Sequence, residues 1–150
     1  MGARTFAFGD VHGCLAHLES ILNAIAPTPA DRIIFLGDLV DRGPDSAGVL
    51  RRIRQLKNQF DVAVIRGNHE QMMQESRESH DKFSEWLRNG DCGHTPQLSG
   101  RPLNLGYGIC LDTNACRGGS LTCMEVNSGT LWQADDLGQV ERSHISDYES

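Results

Sequence analysis

Three short blocks carry the residues in this chain that could do chemistry: Gly9-Asp10-Val11-His12-Gly13, Gly37-Asp38-Leu39-Val40-Asp41-Arg42-Gly43 and Arg66-Gly67-Asn68-His69-Glu70. Asp10 and His12 stand two apart at the end of an apolar run. In extended backbone such residues share a face, so a carboxylate and an imidazole can grip one ion. Asp38 occupies the same place after the next run, and one carboxylate can bridge two ions. Asn68 offers a neutral oxygen, and His94, in Gly93-His94-Thr95-Pro96, another imidazole. A mixed nitrogen and oxygen set suits Mn, Fe, Zn or Co better than Ca. Two such ions about 3.5–4 Å apart can activate a bridging water and clamp phosphoryl oxygens. His69 neighbours Asn68 but points elsewhere, which makes it a general-acid candidate with Asp41 to orient it. Arg42 and Arg66 each precede a glycine that leaves room for substrate, and guanidinium suits bidentate phosphate binding. Alone, an Asp-x-His is an ordinary surface loop and an Asn-His-Glu an ordinary helix start. Three such blocks, in order after three strands, are not ordinary.

The elements that must position these residues can be read from apolar spacing. Thr5–Phe8 is a short strand ending at Gly9. Leu15, Leu18, Leu22 and Ile25 recur at helical spacing until Pro27 and Pro29 end the helix. Ile33–Leu36 is a continuous apolar strand of the kind covered on both faces. Val49, Leu50, Ile53 and Leu56 mark a second helix capped by Asp45 or Ser46. Val62–Ile65 reads as a third buried strand, and a helix is expected from Glu70 to about Leu87. The alternation βαβαβα implies an α/β (by some schemes α+β) architecture with a parallel sheet, whose functional loops gather at the carboxyl ends of the strands. From Asn89 to Gly108 the chain reads mostly as loop. Tyr107–Leu111, Leu121–Val126 and Thr130–Trp132 read as strands of a β-meander, turned at Gly118-Gly119 and Asn127-Ser128-Gly129. The tail from Glu141 is polar and expected to fray.

At 150 residues, residues 1–150 are expected to form one domain. The net charge of −6, from 14 basic and 20 acidic residues, argues against nucleic acid as a partner. No apolar run approaches the roughly 20 residues that span a bilayer, so no membrane partner is expected. The amino-terminal residues lead straight into a strand without a signal-peptide core, which makes the cytoplasm the expected compartment. Five cysteines at irregular spacing read as reduced thiols, with Cys110 and Cys123 packed as small hydrophobes. His17 is expected at the surface, as are His80 and His144.

The three blocks resemble the signature of the calcineurin-like metallophosphoesterase superfamily, specifically its phosphoprotein phosphatases of bacterial and phage type. That signature is Gly-Asp-x-His-Gly, Gly-Asp-x-x-Asp-Arg-Gly and Gly-Asn-His-Glu, matched in full at Gly9–Gly13, Gly37–Gly43 and Gly67–Glu70. The similarity continues at Gly93–Gln97, at Leu111-Asp112-Thr113-Asn114-Ala115 and at Gly118–Thr122. The resemblance implies that Asp10, His12 and Asp38 hold a first metal and that Asp38, Asn68 and His94 hold a second. It implies an acid pair of Asp41 and His69, and phosphate contacts from Arg42 and Arg66. The cofactors expected are two divalent ions, Mn foremost and Fe, Zn, Co or Ni as alternatives.

The chain also departs from that pattern. Relatives carry a Val-His-Ala-Gly-like motif before the Gly-His-Thr block, and its histidine binds the second metal. Here Trp86–Cys92 runs almost directly into Gly93-His94, and that motif is absent. The second metal site is therefore expected to be weakened, lost, or completed by water or His80. A shortened β-sandwich would leave sheet edges for a homo-oligomer to cover.

The function these features imply is a metal-dependent phosphomonoesterase, most simply a small protein phosphatase for phosphoserine and phosphothreonine, with phosphotyrosine admitted by an open site. Its partner is then a phosphoprotein or a small phosphoester. One alternative is a dinucleoside polyphosphate hydrolase, although such relatives typically replace the aspartate that here is Asp41. The other is a metal-binding pseudophosphatase.

Overall fold

The computed structural model describes residues 2–82, 84 and 96–148. The element order is β1 (Thr5–Phe8), α1 (Leu15–Ile25), β2 (Arg32–Phe35), α2 (Ser46–Leu56), β3 (Asp61–Val64) and α3 (Asn68–Glu75). Then come β4 (Leu103–Asn104), β5 (Ile109–Cys110), a 3-10 turn at Ala115–Arg117, β6 (Leu121–Glu125), β7 (Thr130–Ala134), β8 (Val140–His144) and a second 3-10 turn at Ile145–Tyr148.

The main sheet has six strands in the order β3-β2-β1-β6-β7-β8. Its first three strands are parallel, with Phe6 opposite Ile33 and Ile33 opposite Val62. The expected β6–β7 hairpin is present, but Ile109–Cys110 pairs with β4 in another sheet, and the third strand of the meander is β8; this meander extends the main sheet through an antiparallel β1–β6 pairing in which Ala7 faces Met124. A separate two-stranded sheet, β4–β5, is the remnant of a second layer among the described residues.

Side-chain periodicity explains the layers. Helix α1 buries Leu18, Ile21, Leu22 and Ile25, and α2 buries Val49, Ile53 and Leu56. These stripes join Phe6, Phe8, Ile33 and Phe35 in one core, and α1 packs across β6, β7 and β8. Ala26 ends α1 in the left-handed region, its N–H returning to the Leu22 carbonyl, just before Pro27 forbids continuation. Asp45 caps α2 by accepting the Gly48 N–H at 2.7 Å. On the opposite face of the sheet, Ala7, Leu111 and Leu131 form a smaller cluster closed by Met124, Ile145 and Tyr148.

Several expectations need correction. Strand β3 lies at the sheet edge with Val64 and Ile65 exposed, because no strand among the described residues pairs beyond it, so it is not a buried strand. The helix expected from Glu70 begins at Asn68 and ends at Glu75; Ser76–Glu78 form a turn, and residues 80–82 are helical again. Of the expected remainder to Leu87, Ser84 is helical, and residues 83 and 85–87 lie outside the described residues. The tail expected to fray forms strand β8, whose polar side chains suit an outer strand paired on one side only. His17 is buried at 7% exposure, not at the surface. His80 and His144 are exposed, as expected. No helix among the described residues is long and apolar enough to cross a membrane.

Candidate active site

The three loops that leave β1, β2 and β3 converge at one end of the parallel strands. There, one ligand atom from each of Asp10, His12 and Asp38 lies within 4.8 Å of the others. His12 donates its Nδ1–H to the Val40 carbonyl at 2.9 Å, since a carbonyl can only accept. That bond fixes the tautomer and leaves the lone pair on Nε2, the nitrogen 3.8 Å from Asp10 Oδ2. Burial lowers the His12 imidazole to a pKa of about 4, with the Arg42 and His69 charges acting in the same direction. It is therefore a neutral ligand at physiological pH. Burial pushes Asp10 the other way, up to about 8, helped by the carboxylates of Asp112 and Asp38. The Arg42 guanidinium acts in the opposite direction and offsets part of this repulsion. The buried Asp38 and half-buried Asp10 carboxylates, a neutral imidazole and an amide oxygen from Asn68 form a donor set suited to first-row divalent ions, so the residues fit the metals that the sequence pattern implies.

The loops are held in costly conformations. His12, Asp38, Asp41 and Arg42 all have positive φ, between 43° and 68°. Each such non-glycine residue costs about 1–3 kcal/mol unless its surroundings impose it. Glu70 supplies much of that constraint. Its Oε2 accepts the N–H groups of Asp38 (2.9 Å) and Gly67 (2.9 Å), and its Oε1 those of Leu39 (2.7 Å) and Val40 (3.2 Å). Asp38 Oδ1 in turn accepts the His69 N–H at 2.9 Å. Two glycines permit the close approaches this requires. A Cβ on Gly67 would sit 2.1 Å from Asp38 Oδ1, and one on Gly9 would sit 2.3 Å from the Leu111 carbonyl oxygen.

Beside the cluster, His69 is fully buried and its Nδ1 lies 2.9 Å from Asp41 Oδ2. The Asp41 carboxylate thus orients the ring. Asp41 is itself fixed by its N–H donating to Ser46 Oγ at 2.9 Å. The His69 and His12 rings meet edge to face, 4.7 Å between centroids. Arg42 reaches the same place, with Nη1 3.5 Å from His12 Nε2. Asn68, the first residue of α3, lines a cavity of about 480 Å³ together with Asp10 and Asp38. Arg66 is exposed and bonds Gln74 Oε1 at 3.1 Å, which places it on the rim at most. His94 lies outside the described residues.

Two residues that sequence reasoning left without a role belong to the site. Glu70 is one; its place three residues after Gly67, where a carboxylate can return to the backbone at a helix start, was the available signal. Asp112 is the other. It is 6% exposed and lines the cavity with Asp10, Asp38 and Asn68. Its sequence signals were its position just after an apolar pair and its place in the Leu111–Ala115 segment where the family resemblance continues, neither of which gave it a role.

A buried carboxylate–imidazole cluster beside an oriented histidine, at the carboxyl ends of parallel strands, is the layout of a metal-dependent hydrolase. The chain belongs to the calcineurin-like phosphoesterase family, whose model matches residues 3–147. It is 41% identical over 83 residues to serine/threonine-protein phosphatase 1 of Salmonella typhimurium, covering 55% of this chain and 36% of that protein. It is 46% identical over 67 residues to the symmetrical bis(5'-nucleosyl)-tetraphosphatase of Baumannia cicadellinicola, covering 44% of this chain and 23% of that one. The chain thus matches between a quarter and about a third of the length of these relatives. The cold-active protein-tyrosine phosphatase of a psychrophilic Shewanella shares the fold, with a TM-score of 0.61 at 18% identity over 95% of this chain and 80% of that one.

Proposed function

We propose that this chain is a metal-dependent phosphomonoesterase acting on phosphoproteins, with its site within a single domain of residues 1–150. The observation that carries this reading is the juxtaposition of two units. The Asp41–His69 pair, at 2.9 Å, sits against the Asp10–His12–Asp38 cluster, whose ligand atoms lie within 4.8 Å. A metal-binding scaffold has no chemical need for a buried, carboxylate-oriented histidine there.

Asp10, His12 and Asp38 would hold one divalent ion, and Asp38 with Asn68 and His94 would contribute to a second, manganese being the ion best suited. Such ions supply Lewis-acid polarisation of the phosphoryl group and activation of water. The protein's own residues do the rest. Arg42, held by the same loop as Asp41, binds the nonbridging phosphoryl oxygens, and Arg66 on the rim contacts the incoming phosphate. His69 delivers a proton to the departing serine, threonine or tyrosine oxygen, and Asp41 stabilises the imidazolium before transfer. Leu36 and Ile109 give the cavity an apolar flank that accepts the carbon side of the ester.

A second reading is supported by the tetraphosphatase relatives: hydrolysis of a dinucleoside polyphosphate. Manganese-dependent hydrolysis of p-nitrophenyl phosphate, a phosphopeptide panel and diadenosine tetraphosphate, with Asp38→Asn as control, separates the two. Turnover of phosphopeptides that needs metal and disappears in the variant supports the phosphatase. Preference for the dinucleotide overturns it, and metal binding without turnover of any substrate indicates a pseudoenzyme.

A further inference from the structure

We infer that Asp112 is a direct ligand of the second divalent ion. The inference rests on the metallophosphatase reading above and adds to it a residue that the three glycine-framed blocks do not contain.

The argument begins with the cavity wall. Asp10, His12 and Asp38 form one compact donor group. Asn68 and Asp112 are not part of that group, yet both line the cavity onto which Asp10 and Asp38 open. An ion that shares Asp38 with the first and lies on the cavity side therefore faces Asn68 and Asp112. Asn68 brings a neutral oxygen. A second divalent charge there calls for an anionic donor, and Asp112 is the remaining carboxylate on that wall.

Asp112 is also placed and held as a ligand should be. The Gly9 backbone lies directly under the Leu111 carbonyl, so the chain at Leu111–Asp112 rests on the start of the first block. The Asp112 carbonyl accepts the Gln97 N–H at 2.9 Å, and its Oδ1 accepts the Asn114 N–H at 3.2 Å, which sets the carboxylate's orientation. The next residue, Thr113, is anchored through its hydroxyl to Thr122 Oγ1 on β6, and Gln133 on β7 donates to that same oxygen. This network ties the Asp112 loop to the sheet that carries the other ligands. Asp112 is 6% exposed and shares the cavity wall with two other carboxylates.

The test is a metal titration that does not depend on turnover. Metal-free protein is titrated with manganese by calorimetry, with bound ions counted by electron paramagnetic resonance, for wild type, Asp112→Asn and Asp112→Ala. Wild type is expected to bind two ions. Each variant is expected to keep the first with its affinity unchanged and to weaken the second beyond the roughly 100-fold that loss of an outer-shell partner costs. Asp112→Cys loaded with cadmium is expected to add a thiolate-to-cadmium charge-transfer absorption that wild type lacks. Thermal melts establish that each variant is folded. Unchanged binding of two ions by Asp112→Asn overturns the inference. So does loss of both ions by a folded variant, or a wild type that binds only one. Hydrolysis of p-nitrophenyl phosphate by wild type, measured on the same samples, separates the two failures: turnover with an unaffected second ion removes the role of Asp112 alone, whereas absence of both binding and turnover removes the phosphatase reading itself.

Discussion

Replacing Glu70 by glutamine tests whether this carboxylate, which touches neither ion nor substrate in the scheme above, is what holds the second block in shape. Each Glu70 oxygen accepts two backbone N–H groups, from Asp38 and Gly67 on one side and from Leu39 and Val40 on the other. Glutamine keeps the size and one acceptor but turns a donor NH2 toward two donors. Two charge-assisted bonds are lost, each contributing about 1.5 kcal/mol. Glu70 is only half-buried, so water can take over part of one lost bond. The net expectation is a destabilisation of about 2–3 kcal/mol. For a domain of this size that lowers Tm by roughly 4–12 °C. Activity at a temperature where the variant is folded should fall at least tenfold, because Asp38 loses the backbone anchor at its positive φ and the Leu39–Val40 segment that leads to Asp41 and Arg42 is loosened. Thermal unfolding with and without manganese, alongside steady-state hydrolysis of p-nitrophenyl phosphate, reads both effects. A variant within 0.5 kcal/mol of wild type, roughly the range of a neutral surface change, and with full activity would refute the reasoning.

Removing the acid pair should depend on the leaving group. His69→Asn and Asp41→Asn are expected to lower kcat on an alkyl phosphate by about 100-fold, and to lower it much less on p-nitrophenyl phosphate, whose leaving oxygen needs little protonation; equal losses on both would remove the general-acid role. Gly9→Ala places a methyl 2.3 Å from the Leu111 carbonyl oxygen and should destabilise by about 1–3 kcal/mol, measured by denaturant midpoint; an unchanged midpoint would show that the Leu111–Asp112 segment is free to move. His17 is buried, and burial lowers its pKa below the ordinary value, so the folded state disfavours its protonation. The unfolded chain takes up that proton as pH falls through about 6.5, and stability is lost from there downward. His17→Leu should make this acid limb shallower by up to about 1.4 kcal/mol per pH unit, leaving the contribution of His12; an unaltered limb would place the acid sensitivity elsewhere.

The first half of the fold was legible because its signals are local. The boundaries of β1, α1, β2 and α2 follow from apolar spacing, from Pro27 and from Asp45, and none depends on a distant partner. The exposure of β3 was not legible, since the run Val62–Ile65 looks the same whether or not another strand lies beyond it. β8 was missed for the converse reason: Val140–His144 pairs with β7 through its backbone while its side chains remain polar, so the ladder leaves no apolar trace. His17 could have been placed correctly. It precedes Ile21 by four residues and so shares the buried face of α1. In the site, the residues inside the glycine frames announced themselves by type and spacing. Glu70 and Asp112 did not, because what they do is defined by groups far along the chain. Glu70 serves N–H groups 30 to 32 residues earlier. Asp112 meets Asp10 only because β6 returns to pair with β1.

The anchors of the strained residues share one property: all are the protein's own groups. Val40 holds the His12 ring by its carbonyl, Glu70 holds the Asp38 N–H, and Ser46 holds that of Asp41. His69 is fixed by its backbone to Asp38 and by its ring to Asp41. The unfavourable backbone conformations are therefore held by hydrogen bonds within the fold. Charge is a separate matter: three carboxylates face one cavity, and Asp10 is driven up to about 8 by burial and by its neighbours, with Arg42 acting in the opposite direction. Ion binding at such a site relieves repulsion within a geometry already set, which is how a small domain can hold a reactive arrangement ready before substrate arrives.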